Sequence, residues 1–148
     1  MAGARFISRG IDDNSNVANF VESELIVSSE KHLYSYVQIR GSIPLFWEQK
    51  QKGLNNIISI KRPENLTKHV FQKHFIDLLV EYDRVQMVNL VKKRNEQEKK
   101  LAEALISLLT KSKIPGVQHI WYDFHGETHG DNFHRVNELM ERLKEPAS

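Results

Sequence analysis

The spacing of apolar positions changes near residue 62. Before it, Arg5 to Ile11 and Val17 to Val27 are rich in aromatic and β-branched residues and predict strands, with Asp12-Asp13-Asn14-Ser15-Asn16 as the turn between them. From Leu33 to Ile43 the residues alternate: Tyr34, Tyr36, Gln38 and Arg40 share one face, Leu33, Ser35, Val37 and Ile39 the other. Pro44 ends that strand. Ile57 to Ile60 predicts one more short strand, entered from the polar stretch Glu48 to Asn56.

After Arg62-Pro63 the period becomes helical. Val70, Phe71, Phe75, Leu78, Leu79 and Tyr82 fall on one helix face, with Thr67 expected as the cap. Val85 to Val91 predicts a short buried strand, and Leu101, Leu105, Leu108 and Leu109 mark a second helix that Pro115-Gly116 ends. Val117 to Phe124 predicts another apolar strand. Asp131 is the expected cap of a third helix with Phe133, Val136, Leu139, Met140 and Leu143 inward. The order strand, helix, strand, helix is that of an α/β unit with parallel strands, and α+β is the alternative. The expected organisation is one domain: a β-rich part over 1–62 and an α/β part over 63–148.

The charge balance narrows the function. The chain has 21 basic and 19 acidic residues, a net charge of +2, which gives no reason to expect a nucleic acid partner. No apolar run reaches the roughly 18 residues of a membrane-spanning helix, and Met1 to Arg5 lacks the apolar stretch of a signal peptide. Membrane attachment is therefore expected from sequence outside this chain or from a partner. There is no cysteine. That removes disulfides, thiolate zinc sites and a cysteine nucleophile from what this chain can supply.

Four groups of residues could carry chemistry. Gln38-Ile39-Arg40-Gly41-Ser42 brings a guanidinium, backbone N–H groups and a hydroxyl to a strand end, the donors that a phosphate needs. The same residues also read as a strand entering a glycine turn, with Trp47 in the core. Glu22 and Glu24 share a strand face and could work as an acid–base pair, or anchor Arg5, Arg9 or Arg40 in ion pairs. His125, Glu127 and His129, with Asp123 or His134, could bind zinc and support a metal-dependent hydrolase. Gly126 and Gly130 instead argue for a loop, in which Asp123 and His125 end a strand by hydrogen bonding. Lys92 to Lys100 reads as a solvated helix start, and Lys50, Lys52, Lys61 and Arg62 could face an anionic lipid surface.

Taken together, Ala2 to Arg5, Arg9 to Asp12, Val17 to Glu24 and Tyr36 to Trp47 resemble the Sac-type phosphoinositide phosphatases, the family that includes the Sac domains of synaptojanins. Weaker matches follow in the family's order at His74-Phe75, Val88 to Leu90 and Asp123 to His125. The resemblance implies a partial cysteine-phosphatase-like α/β fold, the N-terminal part of the catalytic domain only. It implies hydrolysis of phosphate monoesters on inositol lipids at the cytosolic face of a membrane: endoplasmic reticulum, Golgi or plasma membrane. It implies no cofactor and no metal. The nucleophile of such enzymes is a cysteine in a Cys-x5-Arg loop beyond the point matching Ser148, and a further subdomain precedes the point matching Arg5. On this reading Arg40 and Ser42 contact substrate, no residue of the chain is the nucleophile, and the chain alone is inactive and marginally folded. The alternative within the family is a non-catalytic module that binds phosphoinositides or a protein.

Overall fold

The computed structural model describes residues 8–52, 55–130 and 133–144. Its strands pair two by two. An antiparallel hairpin joins β1 (Val21–Ser28) to β2 (Leu33–Arg40), and a second joins β3 (Trp47–Lys52) to β4 (Asn55–Ile60). The third pair, β5 (Val85–Asn89) and β6 (Val117–Trp121), is parallel, as a strand–helix–strand order predicts. Helix α1 (Glu64–Tyr82) precedes β5, and α2 (Glu96–Ser112) makes the crossover to β6. A short turn of helix, α3 (Phe124–Glu127), and a 3₁₀ turn, Phe133–Arg135, lead into α4 (Val136–Lys144).

An apolar core ties α1 and α2 to the second and third strand pairs. Leu45, Phe71, Phe75, Leu101, Leu105 and Leu108 are its buried centre, and Trp47, Ile58, Val85, Met87 and Val117 pack around them. The leucines of α2 recur at helical spacing, so Leu101, Leu105 and Leu108 point the same way. Asn95 starts α2 by accepting the N–H groups of Gln97 and Glu98. Lys113 ends it in the left-handed region, and Gly116, at φ 85°, accepts the Val85 N–H to open the parallel pair.

Several expectations change. Of the strand expected over Arg5 to Ile11, residues 5–7 lie outside the described residues, and the remainder forms only a single bridge between Ile11 and Val17. Gly10, at φ 81°, breaks the extended run. Beyond it, Asp12 gathers the N–H groups of Asn14 and Asn16 into a turn, which holds its carboxyl below the usual range. The strand expected from Val17 begins only at Val21, after Asn19 at φ 58°. Thr67 is not a cap. Pro63 precedes the first turn of α1, and the buried Thr67 hydroxyl donates to the Pro63 carbonyl from inside the helix. The polar stretch after Trp47 is itself strand β3. His125 to Glu127 lie in a helical turn capped by Asp123, and the expected cap Asp131 lies outside the described residues.

Candidate functional site

Strand β2 carries Gln38 and Arg40 on one face, opposite Ser23 and Val21 of β1. These four side chains line a shallow depression on the hairpin. Arg40 is exposed and, among the described residues, has no ion-pair partner. The residues after it lock the strand end in place. A Cβ on Gly41 would stand 2.7 Å from the Val17 side chain, so only glycine allows this approach. Ser42 accepts the Gly10 N–H on its Oγ at 2.7 Å, and its own N–H donates to the Ala18 carbonyl at 2.9 Å. The Ile11 N–H reaches the Leu45 carbonyl at 3.0 Å. Trp47, half-buried, donates from Nε1 to the Ile43 carbonyl. The segment is thus both a core-anchored turn and a holder of exposed donors.

The other candidates are spent on structure. Glu22 and Glu24 do share a face, but it is the face opposite Arg40, because Arg40 pairs in register with Val21. Neither forms an ion pair with a described residue. Glu22 instead accepts the Tyr82 hydroxyl, whose pKa its hydrogen bond pushes up to about 12, and Glu24 accepts the Ser35 hydroxyl. Arg5 lies outside the described residues, and Arg9 donates to Gln49. Of the lysine and arginine group, Lys50 and Lys61 both pair with Glu48, and Arg62 pairs with Asp13 while stacking 3.8 Å from the Phe46 ring centroid. Those ion pairs compensate much of the basic surface read from the sequence. The side chain of Lys52 lies outside the described residues.

The histidine cluster does not converge. Asp123 is buried, which alone would raise its pKa, but the Gly126 and Lys93 N–H groups it accepts hold it below the usual carboxylate range. Glu127 pairs with Arg135 at 3.2 Å. Among the described residues, no three His, Asp or Glu side chains come together as a metal site would require. No described helix is long and apolar enough to cross a membrane.

Sequence reasoning missed the Gly10–Ser42 clasp, because nothing local marks two residues 32 apart as partners. What could be read was the run of motifs from Arg9 to Trp47, which the structure shows to be one connected unit. The model of the SacI homology domain matches residues 1–129.

This chain belongs to the SacI homology domain family.

Its relatives agree. Over 94% of the chain it is 41% identical to the polyphosphatidylinositol phosphatase INP53 of Saccharomyces cerevisiae, and covers 13% of that protein. Over 85% of the chain it is 42% identical to the inositol-1,4,5-trisphosphate 5-phosphatase 1 of Schizosaccharomyces pombe, and covers 12% of it. Synaptojanin-2 of Rattus norvegicus is 36% identical over 94% of the chain, which covers 9% of that protein. This SacI homology domain segment therefore spans only a small share of each relative's length.

Proposed function

We propose that this chain is the front part of a phosphoinositide phosphatase domain, a single partial cysteine-phosphatase-like unit over 1–148, in which Arg40 and Ser42 face the phosphate of an inositol lipid. The observation that carries this reading is the uncompensated guanidinium of Arg40. Arg62 and Lys61 are each paired with a carboxylate, whereas Arg40 stands exposed beside Gln38 and Ser23. A planar guanidinium fits a phosphate with two parallel hydrogen bonds. Ser42 spends one lone pair on Gly10 and keeps its O–H to donate. The relative INP53 is named a polyphosphatidylinositol phosphatase, which supports the substrate class.

Hydrolysis is a separate matter. The chain holds no cysteine, so a thiolate would have to come from sequence outside it. We assign to this segment binding and support at the cytosolic face of a membrane, not the bond-breaking step. The test is sedimentation of the purified chain with phosphatidylcholine vesicles containing a phosphatidylinositol phosphate, against phosphatidylserine vesicles of equal surface charge. Preference for the former is expected, weakened about ten- to a hundredfold by Arg40→Gln, since a charge-assisted hydrogen bond contributes about 1.5–3 kcal/mol. No preference, or no effect of the substitution, sinks the reading. Phosphate release by the pure chain would overturn the non-catalytic assignment.

A further inference from the structure

The β1–β2 hairpin keeps its carboxylates on one face and its arginine on the other. Cross-strand partners share a face, so Leu25 and Val27 of β1 lie beside Tyr36 and Tyr34 of β2. Toward the base of the same face, Val21 and Ser23 lie beside Arg40 and Gln38. None of these residues is acidic, and Arg40 alone is charged. Glu22 and Glu24 both fall on the opposite face. That opposite face turns toward the helices at its base, where Glu22 accepts the Tyr82 hydroxyl of α1. The acid-free face therefore points outward.

Its far half is apolar. Leu25, Val27, Tyr34 and Tyr36 are each more than half exposed. The His32 ring, in the tip turn, extends this group at 5.9 Å from the Tyr34 ring centroid. Arg40 stands six residues along the strand from Tyr34, about 20 Å at roughly 3.3 Å per residue. A surface of this kind fits a partner that is apolar and anionic in one plane. A second copy supplies no counter-charge, because its matching face has no carboxylate for Arg40. The boundary layer of an anionic bilayer supplies both: phosphates for the guanidinium, and acyl chains just below for the aliphatic and aromatic side chains. Tyrosine suits that boundary, with an apolar ring and a hydroxyl that stays wet. Depth is limited by the backbone. Among the described residues each strand of the hairpin has one neighbour, so its outer N–H and C=O groups need water or headgroups and cannot enter the hydrocarbon.

We propose that the outward face of this hairpin seats the protein on an anionic bilayer. Leu25, Val27, Tyr34 and Tyr36 enter the boundary between headgroups and acyl chains, and Arg40 stays among the headgroup phosphates. The choice of an anionic surface rests on the reading of Arg40 given above, but the seating itself needs no inositol lipid.

The test places a tryptophan on either face of the full chain. Tyr36→Trp reports the outward face and Val37→Trp the other; both positions are exposed, and circular dichroism checks that each variant keeps the parent fold. Each is mixed with vesicles of phosphatidylcholine and phosphatidylserine whose acyl chains carry bromine near the headgroup end. The parent chain, with Trp47 and Trp121, sets the baseline. The Tyr36→Trp emission is expected to move to shorter wavelength and to be quenched beyond the parent's, and Val37→Trp to match the parent. In sedimentation with the same vesicles, Leu25→Ser combined with Tyr34→Ser should weaken binding about tenfold or more. Equal quenching at the two positions, or none at position 36, overturns the proposal. So does vesicle binding undiminished by the double substitution. Loss of self-association in that variant with vesicle binding intact assigns the face to a second copy, and the proposal falls. The two readings fail separately. Seating without preference for a phosphatidylinositol phosphate upholds this proposal and sinks the assignment of Arg40 to an inositol lipid. Preference without quenching at position 36 does the reverse.

Discussion

Ser42 illustrates how little a residue type reveals about its use. A serine after Arg-Gly at a strand end suggests a donor for phosphate, yet its oxygen accepts a buried N–H from Gly10. Ser42→Ala is expected to destabilise the fold by about 1–3 kcal/mol, the cost of leaving a buried amide without an acceptor. Urea unfolding measures it, and unchanged stability would show that water replaces the hydroxyl. Gly10→Ala should cost more than about 2 kcal/mol, because φ is 81° and a Cβ would stand 2.4 Å from the Leu45 carbonyl oxygen. His74 carries a different signal. Its ring is half-buried, with Nδ1 donating to the Ser15 carbonyl at 3.0 Å. Burial lowers its pKa below 6.5, against the opposing pull of that carbonyl and of Asp77. The unfolded chain therefore binds the proton first, and stability should fall as pH drops below about 6.5. His74→Gln should reduce the slope of that part of a plot of unfolding midpoint against pH, the remainder coming from His119, whose pKa burial also lowers. None of this could be read from sequence, since Gly10, Ser15 and their partners are far apart in the chain.

Elements were legible where apolar residues recur with a period. Helices α1 and α2 and strands β5 and β6 follow their patterns, because each turns an apolar surface toward the shared core. Strand β3 has no such pattern. After Trp47 its residues are Glu48, Gln49, Lys50, Gln51 and Lys52, and pairing with β4 rather than apolar alternation makes it a strand. Thr67 misled for a related reason: a threonine ahead of an apolar run resembles a cap, but the fixed φ of Pro63 had already set the start. Two tests belong here. Asn95→Ala removes the acceptor for two amides of α2 and should cost about 1 kcal/mol in thermal unfolding followed by circular dichroism. Lys61 and Lys50 together hold the Glu48 carboxyl at about 2, from an ordinary 4.5. A depressed carboxylate stabilises the fold above its unfolded pKa and loses that effect as pH falls toward 2. Glu48→Gln should therefore remove part of the acid sensitivity below pH about 4.5 and leave the histidine window untouched.

At the scale of the molecule, the described residues form three separate strand pairs where one larger sheet would leave fewer edges. Among the described residues, β5 and β6 each have one strand neighbour, and the β1–β2 hairpin exposes Leu25, Ile26, Val27, Leu33, Tyr34 and Tyr36. Alternation predicted one aliphatic face for β2, yet Leu33, Tyr34, Tyr36 and Val37, drawn from both faces, stay exposed among the described residues. Sequence pattern shows which residues are fit for burial, not whether anything lies against them. Unpaired edges and exposed apolar faces favour association. The isolated chain should therefore show a mass that rises with concentration in analytical ultracentrifugation, and a single monomeric species would count against this. The hairpin has one more property, set by its base. The Ser42 N–H meets the Ala18 carbonyl at 2.9 Å, so the chain leaves and re-enters the rest of the fold at nearly one point. Residues 19–41 thus form an arm, joined to helix α1 by the Glu22–Tyr82 hydrogen bond and at its base by the bond from the Asn19 amide to the Ser8 carbonyl. A short glycine linker could bridge the two stumps, and the shortened protein should melt cooperatively near the parent's temperature. The same geometry marks this arm as a place where inserted sequence, a fluorescent reporter for example, would be carried without disturbing the helices.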